Sequence, residues 1–339
     1  MKIKNYIVIL VSAFAAAGCS LIDDDLSACG VDYFINYQMH LVTEIHTTID
    51  AQLSSEVEKP IANMLKKWSD PYFNGQAHDL DMSFFSMDGT DELRHHTSDI
   101  INANQKSYTL YIPREDYRHL AVVNLKENDN LTLMGGQYMT SMRLSLSEKD
   151  TLPSHPTAVY TARMDMRMGN VETDLSFNVR LYMVSSAVAI IITNNHTAVP
   201  KMSKILVEGT ATGFVLNDST YLFKHNTLTK AEKLSDVCYA VMTMPSREAT
   251  SSVPSTRGNA RSTNEDAALW NVRVYTNMPD GKVTETVLSV NHPLKAGTMD
   301  IIKVQINDDG SVTPVGTTDI GATVTLDWKS GGEHEMITE

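Results

Sequence analysis

Eleven histidines, 41 acidic side chains and three cysteines are the groups in this 339-residue sequence that could do chemistry. A metal site would need several of them at ligand spacing, and acid–base catalysis would need a carboxylate pair held at a set separation. Neither pattern is present. There is no HExxH and no CxxC. His95 and His96 are adjacent, and successive side chains on a strand point to opposite faces. His40 and His46 would share a strand face but stand about 20 Å apart at ~3.3 Å per residue. Asp79, Asp81, Asp116 and Asp165 stand out among the carboxylates, but no spacing selects two of them as a pair. Asn307-Asp308-Asp309-Gly310 is a fragment of a calcium loop without the remaining ligands and reads as a β-turn. No nucleophile elbow or phosphate-binding glycine loop occurs, and Met134-Gly135-Gly136 is a turn. The expectation is a chain with no catalytic residues, no metal and no cofactor.

The residue with the clearest chemistry is Cys19. Lys2 and Lys4 precede an apolar run from Tyr6 to Ala17, 12 residues long, too short to span a bilayer and suited to a signal peptide. Ala16-Ala17-Gly18-Cys19 then resembles a bacterial lipobox, in which the cysteine becomes the first mature residue and carries the lipids. Each buried methylene is worth about 0.8 kcal/mol, so two or more acyl chains, palmitate among them, anchor a protein without a membrane-spanning helix. Residues 1–18 are the expected signal peptide and 19–30 the lipidated, acidic linker. Ile22-Asp23-Asp24-Asp25 is a solvated acidic stretch, and it also resembles the tag that follows the lipid cysteine of surface-exposed Bacteroidetes lipoproteins. Cys29 and Cys238 could form one disulfide in an oxidising compartment or remain two separate thiols. Formal charge is 28 − 41 = −13, and −15 once Lys2 and Lys4 are removed. Such an acidic body is unsuited to neutralising nucleic-acid phosphates.

The elements that must carry these groups are mainly strands. Val31, Tyr33, Ile35 and Tyr37 alternate on one face. Residues 54–68 have the best helical spacing, with Val57, Ile61, Leu65 and Trp68 in register and Pro60 moving the true start later. Asp88-Gly89 and Pro279-Asp280-Gly281 carry hairpin chemistry. Ala187–Ile192 is almost wholly apolar and reads as a central strand buried on both faces. Residues 126–158 read as loops with a short helix near 138–146, and 246–267 as a mobile loop. Short strands at this spacing predict an all-β protein with two tandem sandwiches, 31–167 and 168–330, and a polar tail over 331–339.

Two stretches together resemble one family. They are Cys19-Ser-Leu-Ile-Asp-Asp-Asp-Leu-Ser-Ala-Cys29-Gly30 leading into the first strand, and Ile320-Gly-Ala-Thr-Val-Thr-Leu-Asp-Trp328-Lys329. Both are similar to the fimbrillin-associated fimbrial anchor lipoproteins of Bacteroidales. First domains of that family often close with a Gly-x-Tyr-x-x-x-x-Trp strand, whereas residues 116–124 here have neither that Gly nor that Trp. The resemblance implies transthyretin-like sandwiches, a lipid anchor in the outer membrane at the cell surface, and a structural partner, the fimbrillin stalk subunit. It also implies joining by strand exchange. Ile320, Ala322, Val324, Leu326 and Trp328 alternate strictly and form the candidate donor strand; alternatively they close the chain's own second sandwich. A rival function is a glycan-binding surface lipoprotein, which would display exposed aromatic platforms. Trp68 and Trp328 suit core faces, and Trp270 is left undecided.

Overall fold

The structure is a computed structural model that describes residues 32–73, 79–100, 107–113, 115–168, 175–194, 201–248, 268–316 and 319–328. The signal peptide, Cys19, the acidic linker, Cys29, residues 249–267 and the polar tail lie outside the described residues.

The alternation at the start of the chain becomes β1 (Asp32–Val42), with Ile35, Tyr37 and Met39 buried on one face. It lies inside a seven-stranded sheet, parallel to β10 (Leu175–Met183) and antiparallel to β4 (Ser107–Pro113). The rest of that sheet is β2 (Asp79–Ser86), β3 (Leu93–Ile100), β5 (Tyr117–Val123) and β9 (Tyr160–Met166), in the order β3-β2-β5-β9-β10-β1-β4. The β2–β3 hairpin turns at Asp88-Gly89 as its chemistry predicts. Gly89 has φ +94°, and the Asp88 carboxylate accepts from the Thr90 backbone and hydroxyl.

One face of this sheet packs on a four-stranded sheet, β14-β13-β7-β6, made of β6 (Leu131–Met134), β7 (Arg143–Leu146), β13 (Gly213–Val215) and β14 (Thr220–Leu222). Phe85, Leu120 and Val122 meet Leu131, Leu144 and Phe214 there. The other face packs on two helices, α1 (Ile45–Gln52) and α2 (Lys59–Phe73). Pro60 falls in the first turn of α2, where its missing N–H costs nothing, so the predicted helix starts late as expected. The shorter α1 was not legible as a helix, although Ile45 and Ile49 are four apart and fully buried.

The second half forms two facing sheets. A five-stranded sheet has the order β16-β17-β11-β20-β21, built from β11 (Ser186–Ile192), β16 (Glu232–Ser235), β17 (Cys238–Thr243), β20 (Met299–Ile306) and β21 (Val312–Pro314). A six-stranded sheet has the order β22-β19-β18-β12-β15-β8, from β8 (Thr151–Pro153), β12 (Lys201–Glu208), β15 (Leu228–Lys230), β18 (Trp270–Asn277), β19 (Val283–Val290) and β22 (Ile320–Trp328). Val188, Ile190, Val241 and Ile302 pack against Val207, Trp270, Val272 and Leu288 between them. Every residue of β11 is buried, because its alternate face (Ala187, Ala189, Ile191) packs toward the helices. The molecule is therefore all-β apart from the helix pair, in the layer order sheet, sheet, helices, sheet, sheet.

Sheet membership does not change at residue 168. β10 belongs to the first sheet, β13 returns to pair with β7 and carries β14 on its other edge, and β8 pairs with β15 of the second half. Only Val184 and Ser185 separate β10 from β11. The segment expected as loops with a helix near 138–146 instead holds β6, β7, β8 and a single 3-10 turn at Met139–Ser141. Strands of three or four residues show no readable period, and their pairing is what makes them strands.

Candidate functional site

The two ends of the described chain are held very differently. β1, the first strand after the expected lipid tether, pairs over eight residues with β10 and over seven with β4. β22, the last strand, is an edge strand that pairs only with β19 among the described residues, from Val290↔Ile320 to Val283↔Trp328. A register shift separates Val283 and Glu285, so the end of β22 is irregular. Of the candidate donor residues, Ile320 is buried, Ala322 is exposed and Val324 is 38% exposed; the side chains of Leu326 and Trp328 lie outside the described residues. Strict alternation predicts a continuous apolar stripe sinking into the core. Among the described side chains Ile320 sinks into the core while Ala322 and Val324 do not; β21, the strand that meets β22 from the facing sheet, is three residues long.

Behind this edge the outer face of the six-stranded sheet carries a charged ladder. Arg273 donates Nε to Glu208 Oε2 (2.9 Å) and Nη2 to Oε1 (3.0 Å), and Nη1 to Glu285 Oε1 (3.1 Å). The Tyr275 hydroxyl donates to the same Glu285 oxygen at 2.8 Å. Both carboxylates are nearly buried, and the hydrogen bonds to Glu208 hold the guanidinium even more firmly protonated than usual. At the start of β22, the Asn291 N–H donates to the carbonyl of Asp319, and neighbouring His292 pairs with Asp300 at 2.6 Å. That bond raises the His292 imidazole above its ordinary value.

The two halves are bolted through the helices. Gln52 Nε2 donates to Met299 O (2.9 Å), and Gln52 Oε1 accepts from Ile301 N (3.0 Å). The Thr48 hydroxyl accepts from Met299 N (3.1 Å), Glu44 N donates to Gly297 O (2.9 Å), and Lys303 pairs with Glu58. A half-buried amide bonded through both its donor and its acceptor is specific as well as stabilising.

The groups singled out for chemistry are mostly structural. Asp79 accepts the Leu125 and Lys126 backbone N–H groups, Asp116 accepts that of Met168, Asp81 pairs with His96 (2.9 Å), and Asp165 lies 3.8 Å from Arg118. His46 sits in α1, not on a strand shared with His40, and hydrogen-bonds Ser69. Asp309 closes the predicted turn by accepting from the Ser311 N–H and hydroxyl. Sequence reasoning missed the most buried histidine of the first sheet, His119. It donates Nδ1–H to Ser83 O (3.1 Å), accepts from the Tyr37 hydroxyl (2.8 Å) and stacks on Phe84. Burial pulls its pKa down to about 4. Cys238 is a buried free thiol whose pKa is pushed up to about 12 by burial; its suggested partner, Cys29, lies outside the described residues. Among the described residues no three His, Cys, Asp or Glu side chains are grouped to hold a metal. None of the described helices is long and apolar enough to cross a membrane.

Neither tryptophan with a described side chain forms an exposed platform. Trp270 is fully buried and donates Nε1–H to His292 O (2.8 Å), while Trp68 is half-buried and donates to Glu232 (3.2 Å). Tyr182 is 54% exposed and lines an open pocket of about 330 Å3 with Arg163, Phe214 and Tyr221. The pocket forms where β9 and β10, paired only at Thr161↔Tyr182 and Tyr160↔Met183, separate.

No family model matches the sequence, and no curated protein matches it. Solved structures similar to this chain include the fimbrial anchor protein Mfa2 from Porphyromonas gingivalis. It is 10% identical, with 88% of this chain and 100% of that chain covered and a TM-score of 0.44. The tip fimbrial protein Mfa3 from the same organism, truncated at its C-terminus, gives the same four values. A candidate adhesin from Bacteroides ovatus is 12% identical over 86% of this chain and 96% of that chain, with a TM-score of 0.49.

Proposed function

We propose that this protein is a structural anchor subunit that holds a fimbria to the outer membrane. A lipid on Cys19 tethers it, and its C-terminal strand joins the fimbrillin stalk subunit by strand exchange. The observation that carries this reading is the unequal hold on the two terminal strands. A pull on the tether meets β1, which is bonded along both edges inside a seven-stranded sheet. Its parallel partner β10 passes within two residues into β11, itself parallel to β20, so load crosses the molecule through strands rather than through a flexible linker. β22, by contrast, is bonded along one edge among the described residues, the weaker hold that a strand donated to a neighbouring subunit needs.

Two variants test the two ends separately. Cys19→Ala should release the protein from the membrane fraction, with fimbriae shed along with it. Deleting residues 318–339 should leave the protein in the membrane but abolish stalk retention. A truncated protein that stays folded and still captures fimbriae would overturn the donor role of β22; a Cys19→Ala protein that stays membrane-bound would overturn the tether.

A second reading, a glycan-binding surface lipoprotein, draws on the pocket beside exposed Tyr182. Tyr182→Ala separates the two: it would abolish glycan binding in a lectin and leave an anchor's stalk retention unchanged.

A further inference from the structure

The protein is strongly acidic, yet one open pocket of about 300 Å3 is walled by Lys224, His225 and Arg247, with Asn226, Phe223 and Thr210 between them. From this cluster we infer a binding site for a small organic oxyanion, a carboxylate or sulfate ester carried on a sugar-sized body. The volume sits at the lower end of the range for small-molecule pockets, more than a bare inorganic ion needs.

The walls come from three segments of chain that the fold locks together. The connection between β14 and β15 supplies Phe223 to Asn226, the end of β12 runs into Gly209 and Thr210, and the stretch after β17 supplies Arg247. Thr210 and Ser246 form an isolated β-bridge, the Lys224 N–H donates to the Thr212 hydroxyl (3.0 Å), and the Ser246 hydroxyl donates to Arg247 O (3.0 Å). At Gly209, φ is +82° and an added Cβ would come within 3.0 Å of the Trp270 Cα, so this wall stays bare backbone.

The cations are not spent on carboxylates. Elsewhere Arg94, Arg118, Arg273, Lys66 and Lys303 each meet an acidic partner. Among the described residues Lys224 and Arg247 have no ion-pair partner, and the acidic side chain next in sequence, exposed Glu248, is not bonded to either. Arg247 instead sits over the Phe223 ring, with Cζ 4.7 Å from its centroid. A cation–π contact holds the guanidinium beside the pocket without using its N–H donors on a carboxylate, and those donors suit planar recognition of a carboxylate or sulfate. His225 adds an independent sign: its Nε2 is buried and has no hydrogen-bond partner. An unsatisfied buried nitrogen in a pocket wall is a hydrogen-bonding group that the protein itself leaves unused. Asn226 offers further polar atoms for the hydroxyls of a sugar-sized ligand.

The test is titration calorimetry of the purified full chain with glucuronate, glucosamine 6-sulfate and neutral glucose as probes. The expected result is saturable binding of at least one anionic probe with no heat from glucose, weakening as salt is raised because the cations are exposed. Which anionic probe binds more tightly tells a carboxylate from a sulfate ligand. Lys224→Glu with Arg247→Glu should weaken the better probe at least tenfold, and Arg247→Lys should fall between, since it keeps the charge but loses the planar N–H donors. Both side chains are exposed, so an unchanged thermal melt is expected and shows that the variant is folded. Equal binding of glucose, no binding of either anion at millimolar concentration, or full binding by the folded double variant would each overturn the site. None of these outcomes depends on the anchor role.

Discussion

Replacing His155 with leucine should flatten the protein's acid sensitivity. His155 lies between β8 and β9, where the His155 N–H donates to Met242 O of β17 and the Met242 N–H donates to the Ser154 hydroxyl, both at 2.9 Å. Its ring is 2% exposed, and neither nitrogen has a hydrogen-bond partner. Burial without a partner disfavours the charged form, and the pKa falls from 6.5 to about 4. The unfolded chain then binds the extra proton first as pH drops. Stability is full above the unfolded value near 6.5 and is lost progressively down to about 4. For a shift of this size the loss is roughly 2 kcal/mol at pH 5 and roughly 3 kcal/mol at pH 4. Burial lowers the pKa of His119 to about 4 as well, and it adds a similar amount. The two together approach the total stability of an ordinary domain, about 5–15 kcal/mol, so unfolding should begin above the range where carboxylates titrate. The assay is urea unfolding at pH 7, 6 and 5 for wild type and His155→Leu. Between pH 7 and pH 5 the wild type should lose roughly 2 kcal/mol more than the variant. Groups common to both proteins cancel in that difference. Because the ring makes no hydrogen bond, the variant should be no more than about 1 kcal/mol less stable at pH 7. Identical pH slopes in the two proteins would refute the reasoning.

His292 should act with the opposite sign. Its pKa is raised by Asp300, so the pair stabilises below pH 6.5 and that contribution is lost as pH rises through the folded value; Asp300→Asn should remove this loss in thermal melts at pH 6 and pH 8. Arg273→Ala leaves Glu208 and Glu285 nearly buried without their cation and should cost about 3–5 kcal/mol in urea unfolding, with Glu208→Gln added to it restoring part. Gly135→Ala should cost at least about 2 kcal/mol, since φ is +86° and the new Cβ would stand 2.3 Å from Ser141 O; Gly136→Ala, with open space around it, should cost roughly 1 kcal/mol by the same unfolding assay. With Cys19 and Cys29 changed to serine, Cys238 should resist a thiol reagent at pH 8 and react fully once urea unfolds the chain, because burial holds its pKa near 12.

Much of the local structure was legible because local structure follows from spacing. The alternation in β1, the Asp88-Gly89 and Pro279-Asp280-Gly281 hairpins, the doubly buried β11 and the late start of α2 are all written in short windows of residues. What could not be read was pairing across distance. β13 and β14 return from the second half to the four-stranded sheet, and β8 leaves the first half for the six-stranded one, although each is three residues long and has no periodicity. The helix pair was half seen and its position between two sheets not at all, since a buried α1 face looks the same whatever it packs against.

The candidate sites divide along the same line. By itself the sequence determined the excess of negative charge, and it carries the expectations of a processing signal, of a lipid on Cys19 and of no catalytic spacing, because these depend on residue type and order alone. Only the tertiary structure decided that, among the described residues, β1 is paired on both edges and β22 on one, and that Lys224, His225 and Arg247 share a pocket. Edges and pockets are made by residues far apart in the chain meeting in space, and one-dimensional order carries no distance between them.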